Sequence, residues 1–209
     1  MTMKQSFNPY GYKDLLAYKK AEELQKACAA FTALFSHSPH FTLRSLQDQM
    51  DRSARSIKQN IVEGWKRNST KEYHQFLGFS LGANAELEED CDDIIKGVYE
   101  TGGRGLKREE WGEGEKWDIE QVQKLPFYPL NSRLPLLVQL KLRCKEMNFL
   151  LTKLQQSLEK KMQEGDGVLK GAWGTGERGK KGNEWLEKEI EARGFARLPD
   201  GQLVPKKNI

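Results

Sequence analysis

The chain has 209 residues, 37% of them hydrophobic and 31% charged, with a formal net charge of +4. Its mean hydropathy is −0.75, and no stretch approaches the roughly 18 consecutive apolar residues of a membrane span. The opening Met1 to Asn8 lacks the apolar core of a signal peptide, so the sequence reads as that of a cytoplasmic protein, with one domain plus extensions.

The first segment runs from about Tyr12 to residue 36. Ala17, Ala21, Leu24, Cys28, Phe31 and Phe35 recur at spacings of three and four, which is a helical stripe and not strand alternation. Pro39 disfavours helix at the residue before it, and Thr42 has N-cap chemistry for a second helix over 42–67. The stripe of that helix is Leu43, Leu46, Met50, Ala54, Ile57, Ile61 and Trp65. Ser69 with Glu72 fits a capping box, so a third helix is predicted over 69–99. The connection between the second and third helices is short enough to force a hairpin.

Residues 100–130 interrupt the helical pattern as an insertion, opening on Thr101-Gly102-Gly103 and holding at most a short helix near Asp118–Lys124. Leu125 to Pro129 reads as extended. A fourth segment over 131–163 places Leu137, Leu140, Cys144, Met147, Leu151, Leu154 and Leu158 on a heptad seam. After Gly165 the composition turns glycine-rich, giving a flexible tail over 164–209. Within it, 183–193 has the caps of a short helix, and Leu198 to Val204 has the turn chemistry of a small hairpin. The predicted fold class is all-α: an antiparallel up-down four-helix bundle over 12–163, with an insertion between helices 3 and 4 and a Gly-rich C-terminal tail.

Few patterns carry chemistry. Cys28, Cys91 and Cys144 are widely spaced and form no CxxC, so they read as buried thiols. Gly174 to Lys181 nearly spells a phosphate loop but has Lys181 where the hydroxyl residue is needed. Glu86, Asp90 and Asp93 share a helix face, yet no histidine follows a glutamate by three residues and no second carboxylate helix exists. That acidic run reads as a solvated face or as salt-bridge partners for a basic neighbour, not as a metal site. No cofactor and no catalytic residue is assigned.

The stretch QMDRSARSIKQNIVEGWKRNSTKEYHQFLGFSLGANAELEED resembles a four-helix-bundle family named after proteins encoded in large-subunit rRNA intervening sequences. The matching elements are Arg52, Ala54, Ser56-Ile57, Asn60-Ile61, Glu63-Gly64, Trp65, Ser69-Thr70-Lys71-Glu72, Phe76-Leu77 and Ala85-Glu86-Leu87-Glu88. The opening YKDLLAYKKAEEL is similar to the family's first helix. The resemblance implies a homo-oligomeric ring, commonly five-fold (a pentamer), with no enzymatic activity. It also implies likeness to the accessory protein of diversity-generating retroelements, which binds a reverse transcriptase and nucleic acid. The insertion and the tail depart from the compact family form.

Two surfaces are singled out. Arg52, Ser56, Asn60, Glu63 and Trp65 on the second helix, with Glu86 on the third, are candidates for a subunit interface or for a polar network that fixes register. Residues 131–163 hold seven basic and two acidic residues, a net of +5. Arg133, Lys141, Arg143, Lys145, Lys153, Lys160 and Lys161 lie beside the leucine seam, as a nucleic-acid-binding face for RNA or DNA or as partners of the acidic third helix. The functional expectation is a non-enzymatic oligomeric scaffold that binds nucleic acid, as an accessory to a reverse transcriptase. The alternative is a protein-protein interaction bundle with no nucleic-acid binding.

Overall fold

The structure, a computed structural model, describes residues 8–35, 41–99 and 117–163, together with the backbone of two short strands. Five α-helices occupy the described chain: α1 Leu16–Thr32, α2 Phe41–Trp65, α3 Thr70–Lys96, α4 Ile119–Lys124 and α5 Leu136–Gln163. The fold is all-helical but for one antiparallel pair in the tail, β1 Phe195–Arg197 with β2 Leu203–Pro205. The predicted hairpin is therefore present, one strand on either side of the Pro199-Asp200-Gly201 turn sequence. The Pro39 stop, the 100–116 part of the insertion, the 174–181 glycine run and the 183–193 segment lie outside the described residues.

The helix ends have local causes. Ser69 Oγ accepts the backbone N–H of Glu72 at 3.2 Å, and the Ser69 hydroxyl donates to the Glu72 carboxylate at 2.9 Å. The glutamate thus closes on the capping side chain rather than on the capping backbone. α3 stops at Lys96, not 99, because Gly97 takes φ 80, a left-handed conformation that glycine adopts without a Cβ penalty. Its N–H bonds to Ile94 O at 3.0 Å and that of Val98 to Asp93 O at 2.9 Å, a Schellman ending. α1 is shorter than the predicted segment and is flanked by 3-10 turns at Gly11–Asp14 and Ala33–Phe35. α5 starts at Leu136, five residues later than predicted, after a turn over Asn131 to Leu134 closed by Leu134 N–H to Asn131 O at 3.2 Å.

The predicted stripes face inward. Leu46, Ile57, Leu77, Leu87, Cys144 and Leu151 are all buried in one continuous core. α1 packs on α2 and α5, and α3 packs on α2 and α5. Along α2–α3, α1–α5 and α3–α5 the contacts run in opposite senses. Gln49 meets Asp90, Ser53 meets Glu86, and the Ser80 hydroxyl donates to Ile57 O. Likewise Lys20 meets Glu146 while Glu23 meets Arg143, and His74 meets Glu159 while Asp92 meets Lys141.

α2 and α3 approach closely at Gly64. A Cβ there would lie 2.6 Å from Tyr73 Cδ2 and 2.8 Å from Phe76 Cβ, so only glycine lets the two backbones come this near. α4 packs against both α3 and α5. Asp118 and Gln121 form a full capping box for α4, which inserts Val122 into the core.

Candidate nucleic-acid interface

The seven basic residues predicted on one outward face of α5 have separate fates. Lys141 is 4% exposed. Its Nζ lies 2.9 Å from Glu88 Oε1 and 2.8 Å from Asp92 Oδ1, both on α3. Burial alone would lower its pKa, but the two carboxylates outweigh that and raise it, so the ammonium stays charged inside the protein. Lys141 is therefore not a surface cation, which corrects the reading of the basic residues as lying outside the core.

Arg143 is half-buried, with Nη1 3.4 Å from Glu23 of α1. Lys145 donates from Nζ to Gln123 O at 2.9 Å and Leu125 O at 3.3 Å. It pins the segment after α4 down onto α5, and burial lowers its pKa. Lys153 is half-buried, its Nζ 5.9 Å from the centre of the Phe149 ring. Lys161 is half-buried too. Arg133 and Lys160 are exposed. The first half of α5 is thus enclosed by its neighbours, and its charges complete contacts within the chain. Of the two sequence readings, pairing with the acidic third helix is what happens at Lys141.

The polar residues of α2 pair differently from the predicted network. Arg52 reaches back to Asp48 at 3.4 Å, Asn60 Nδ2 donates to Ser56 Oγ at 3.2 Å, and Glu63 lies 3.7 Å from Arg67. These are contacts along one helix and its end, and none crosses to α3. The bonds that cross from α2 to α3 use other α2 residues: Ser53 to Glu86 at 3.1 Å and Gln49 to Asp90 at 2.9 Å. Two buried polar residues of α3 also bond across the core, Ser80 to the Ile57 carbonyl and Asn84 to the Cys144 carbonyl. Trp65 is buried, stacks edge-on with Tyr73, and donates its indole N–H to Asn8 O at 3.2 Å. It anchors the start of the chain to the end of α2.

The sequence places Phe79 off the α3 stripe, and the structure leaves an aromatic face open there. Phe79 is 50% exposed. Its ring meets Phe76 edge-on at 5.5 Å, and the Arg67 guanidinium sits 4.3 Å above Phe76. The half-exposed Ser56 and Asn60 belong to the facing turns of α2. The only sequence signal for this face is that Phe79 lies off the α3 stripe. Among the described residues no group of histidine, cysteine and carboxylate side chains is placed to hold a metal ion. No described helix is long and apolar enough to cross a membrane.

Residues 13–96 match the model of the 23S rRNA-intervening sequence protein family. The matched span takes in α1, α2 and α3 and leaves α4, α5 and the tail outside it. No curated protein sequence matches the chain.

Proposed function

We propose that this chain is a member of the 23S rRNA-intervening sequence protein family and works as a non-enzymatic scaffold. In this reading α1, α2, α3 and α5 form an up-down four-helix bundle, with the 100–130 insertion between its last two long helices. Copies of it join side by side into a homo-oligomer, and the assembly binds nucleic acid. The opposed contacts along neighbouring helices support the bundle topology, and the family match over α1 to α3 supports the assignment.

The observation that carries the scaffold reading is the face around Phe79. A half-exposed phenylalanine beside a second aromatic ring, above a close helix–helix approach, is the kind of anchor that subunit interfaces bury. On α2, Asn60 Nδ2 donates to the half-exposed Ser56 Oγ, and among the described residues no other hydrogen bond engages these two side chains, which leaves hydrogen-bonding capacity for a partner chain. Light scattering on the full chain tests the reading. A mass above that of a dimer is expected, and a sharp monomer at 24.0 kDa overturns it.

The second reading is a protein-binding bundle without nucleic-acid contact. It is favoured by the engagement of Lys141, Arg143 and Lys145 inside the chain. Binding of generic RNA that weakens with rising salt separates the two, because phosphate contact releases counterions and protein–protein contact through an apolar face does not. The likeness to retroelement accessory proteins adds a reverse transcriptase as the protein partner to try first.

A further inference from the structure

The charges of the described chain also sort along the bundle axis. One end is where α1 and α3 begin and α2 and α5 finish. Trp65 bonded to Asn8, the Trp65–Tyr73 ring pair and the His74–Glu159 contact at 2.9 Å tie these four termini together. The half of the bundle at this end comprises residues 8–18, 54–85 and 148–163. It holds nine Lys and Arg against four Asp and Glu, a net of +5. The other half, residues 19–35, 41–53, 86–99 and 117–147, holds eleven against thirteen, a net of −2. Three separate stretches of sequence supply the basic end, which is why no single window of the chain displays it.

From this we infer that the nucleic-acid contact surface is the basic end of the bundle and that its ligand is a single strand. The inference rests on the nucleic-acid reading above and gives it a place. Lys66, Lys71 and Lys160 are exposed there and have no ion-pair partner among the described residues. Of the carboxylates at this end, Glu63, Glu72 and Glu159 are each engaged locally, by Arg67, Ser69 and His74. The cations therefore dominate the field that a polyanion meets.

An aromatic ring stands beside the cations. Tyr10 is 60% exposed, with Lys13 Nζ 5.6 Å from its ring centre. Cations that follow a backbone and open rings on which bases stack are the combination that single strands use, since duplex bases are already stacked on each other. An anionic membrane fits less well. The exposed aliphatic and aromatic side chains Leu34, Phe41, Val98 and Leu136 belong to the opposite half. A ring of copies whose axis follows the bundle axis would set every basic end on one face, so that weak contacts add.

The test uses the full chain and fluorescence anisotropy. The probe is a labelled single-stranded RNA of about 20 nucleotides, longer than the ~4–16 that one single-strand site covers. Lys66→Glu/Lys71→Glu/Lys160→Glu is compared with Arg44→Glu/Lys96→Glu/Arg133→Glu, which makes the same charge change in the other half. The basic-end triple is expected to lose at least about tenfold in affinity. It should also flatten the salt slope by roughly 2, at about 0.7 for each phosphate that is no longer neutralised. The other triple should stay within about threefold, and Tyr10→Ala should weaken the single strand more than its duplex. Circular dichroism and light scattering confirm that each variant keeps its fold and mass. Equal losses from the two triples, or tighter binding of the duplex or of phosphatidylserine vesicles than of the single strand, overturn the inference and leave a nucleic-acid reading without this site. Absence of wild-type RNA binding at low salt removes the nucleic-acid reading itself.

Discussion

The ammonium of Lys141 lies 2.8 Å from the carboxylate of Asp92 across the α3–α5 seam, at a depth where the lysine is 4% exposed. Glu88 completes the contact at 2.9 Å, and its other oxygen accepts from Asn148 Nδ2 at 2.8 Å. A buried ammonium and a buried carboxylate with a half-buried second carboxylate are stable only as a set, because each charge left alone keeps its desolvation cost.

Lys141→Met should therefore destabilise the fold by about 3–5 kcal/mol, since it strands Glu88 and Asp92 without their cation. Lys160→Met, exposed on the same helix, should change stability by less than about 0.5 kcal/mol. Urea denaturation followed by circular dichroism measures both. A loss below about 1 kcal/mol at Lys141 would mean that the three charges hold no buried set.

Two glycines of the α2–α3 hairpin should respond oppositely to alanine. At Gly64 a methyl group would meet Tyr73 and Phe76 well inside van der Waals contact, so Gly64→Ala should cost about 1–3 kcal/mol by forcing the helices apart. At Gly82 nothing lies within 4 Å, and alanine there should add about 0.5–1 kcal/mol through helix propensity. Thermal melts of the two single variants give the sign directly. A neutral Gly64→Ala would contradict the close approach.

How much of the molecule is legible in its sequence follows from range. The stripes of α1, α2, α3 and α5 are local periodicities, and Leu24, Ile57, Leu87 and Leu151 are buried as the spacing predicts. The Ser69 cap and the Asp118 start of α4 are three-residue patterns and are equally legible. The fate of Lys141 is not, because it sits between seam positions Leu137 and Cys144 and only the placement of Glu88 and Asp92, some fifty residues earlier, draws it inward. The enclosure of α5 depends on Gln123 and Leu125 carbonyls meeting Lys145, for which a sequence window has no signal. The basic end is the clearest case, since Lys13, Lys66, Lys71 and Lys160 meet only through the topology.

Stability should fall as pH rises through the window set by two buried carboxyls. Burial pushes Glu146 up to about 7 from its ordinary 4.5, with Lys20 and Arg143 opposing and Glu23 adding to the rise. Burial, then Asp93 and Glu86, pushes Asp90 up to about 6 from 3.8; Gln49 of α2 donates to it. Between the ordinary and raised values the folded chain holds protons that the unfolded chain has released. Their contribution is thus full at low pH and lost on the way up to neutrality. Glu146→Gln keeps the shape of the protonated acid, so it should match wild type near pH 5 and exceed it by roughly 2–3 kcal/mol near pH 8. Denaturation across that range checks the sign. A wild-type advantage that grows with pH would mean that the Lys20 contact at 3.6 Å, and not burial, governs Glu146.

The last prediction concerns assembly through the Phe79 face. Phe79 makes one aromatic contact in its own chain, to Phe76 at 5.5 Å, and is half-exposed, so replacing it leaves the core intact and should cost under about 1 kcal/mol. A carboxylate at its position would have to be desolvated in any interface formed there, which costs far more than removing the ring. Phe79→Glu should therefore shift the scattering mass down toward 24.0 kDa with the melting curve nearly unchanged. Val98→Glu makes the same change at a residue that is 60% exposed in the opposite half, and it should leave the mass as in wild type. Loss of assembly in the Val98 variant but not the Phe79 variant would move the contact between copies from the side of α3 to the acidic end, and the side-by-side arrangement would fall with it.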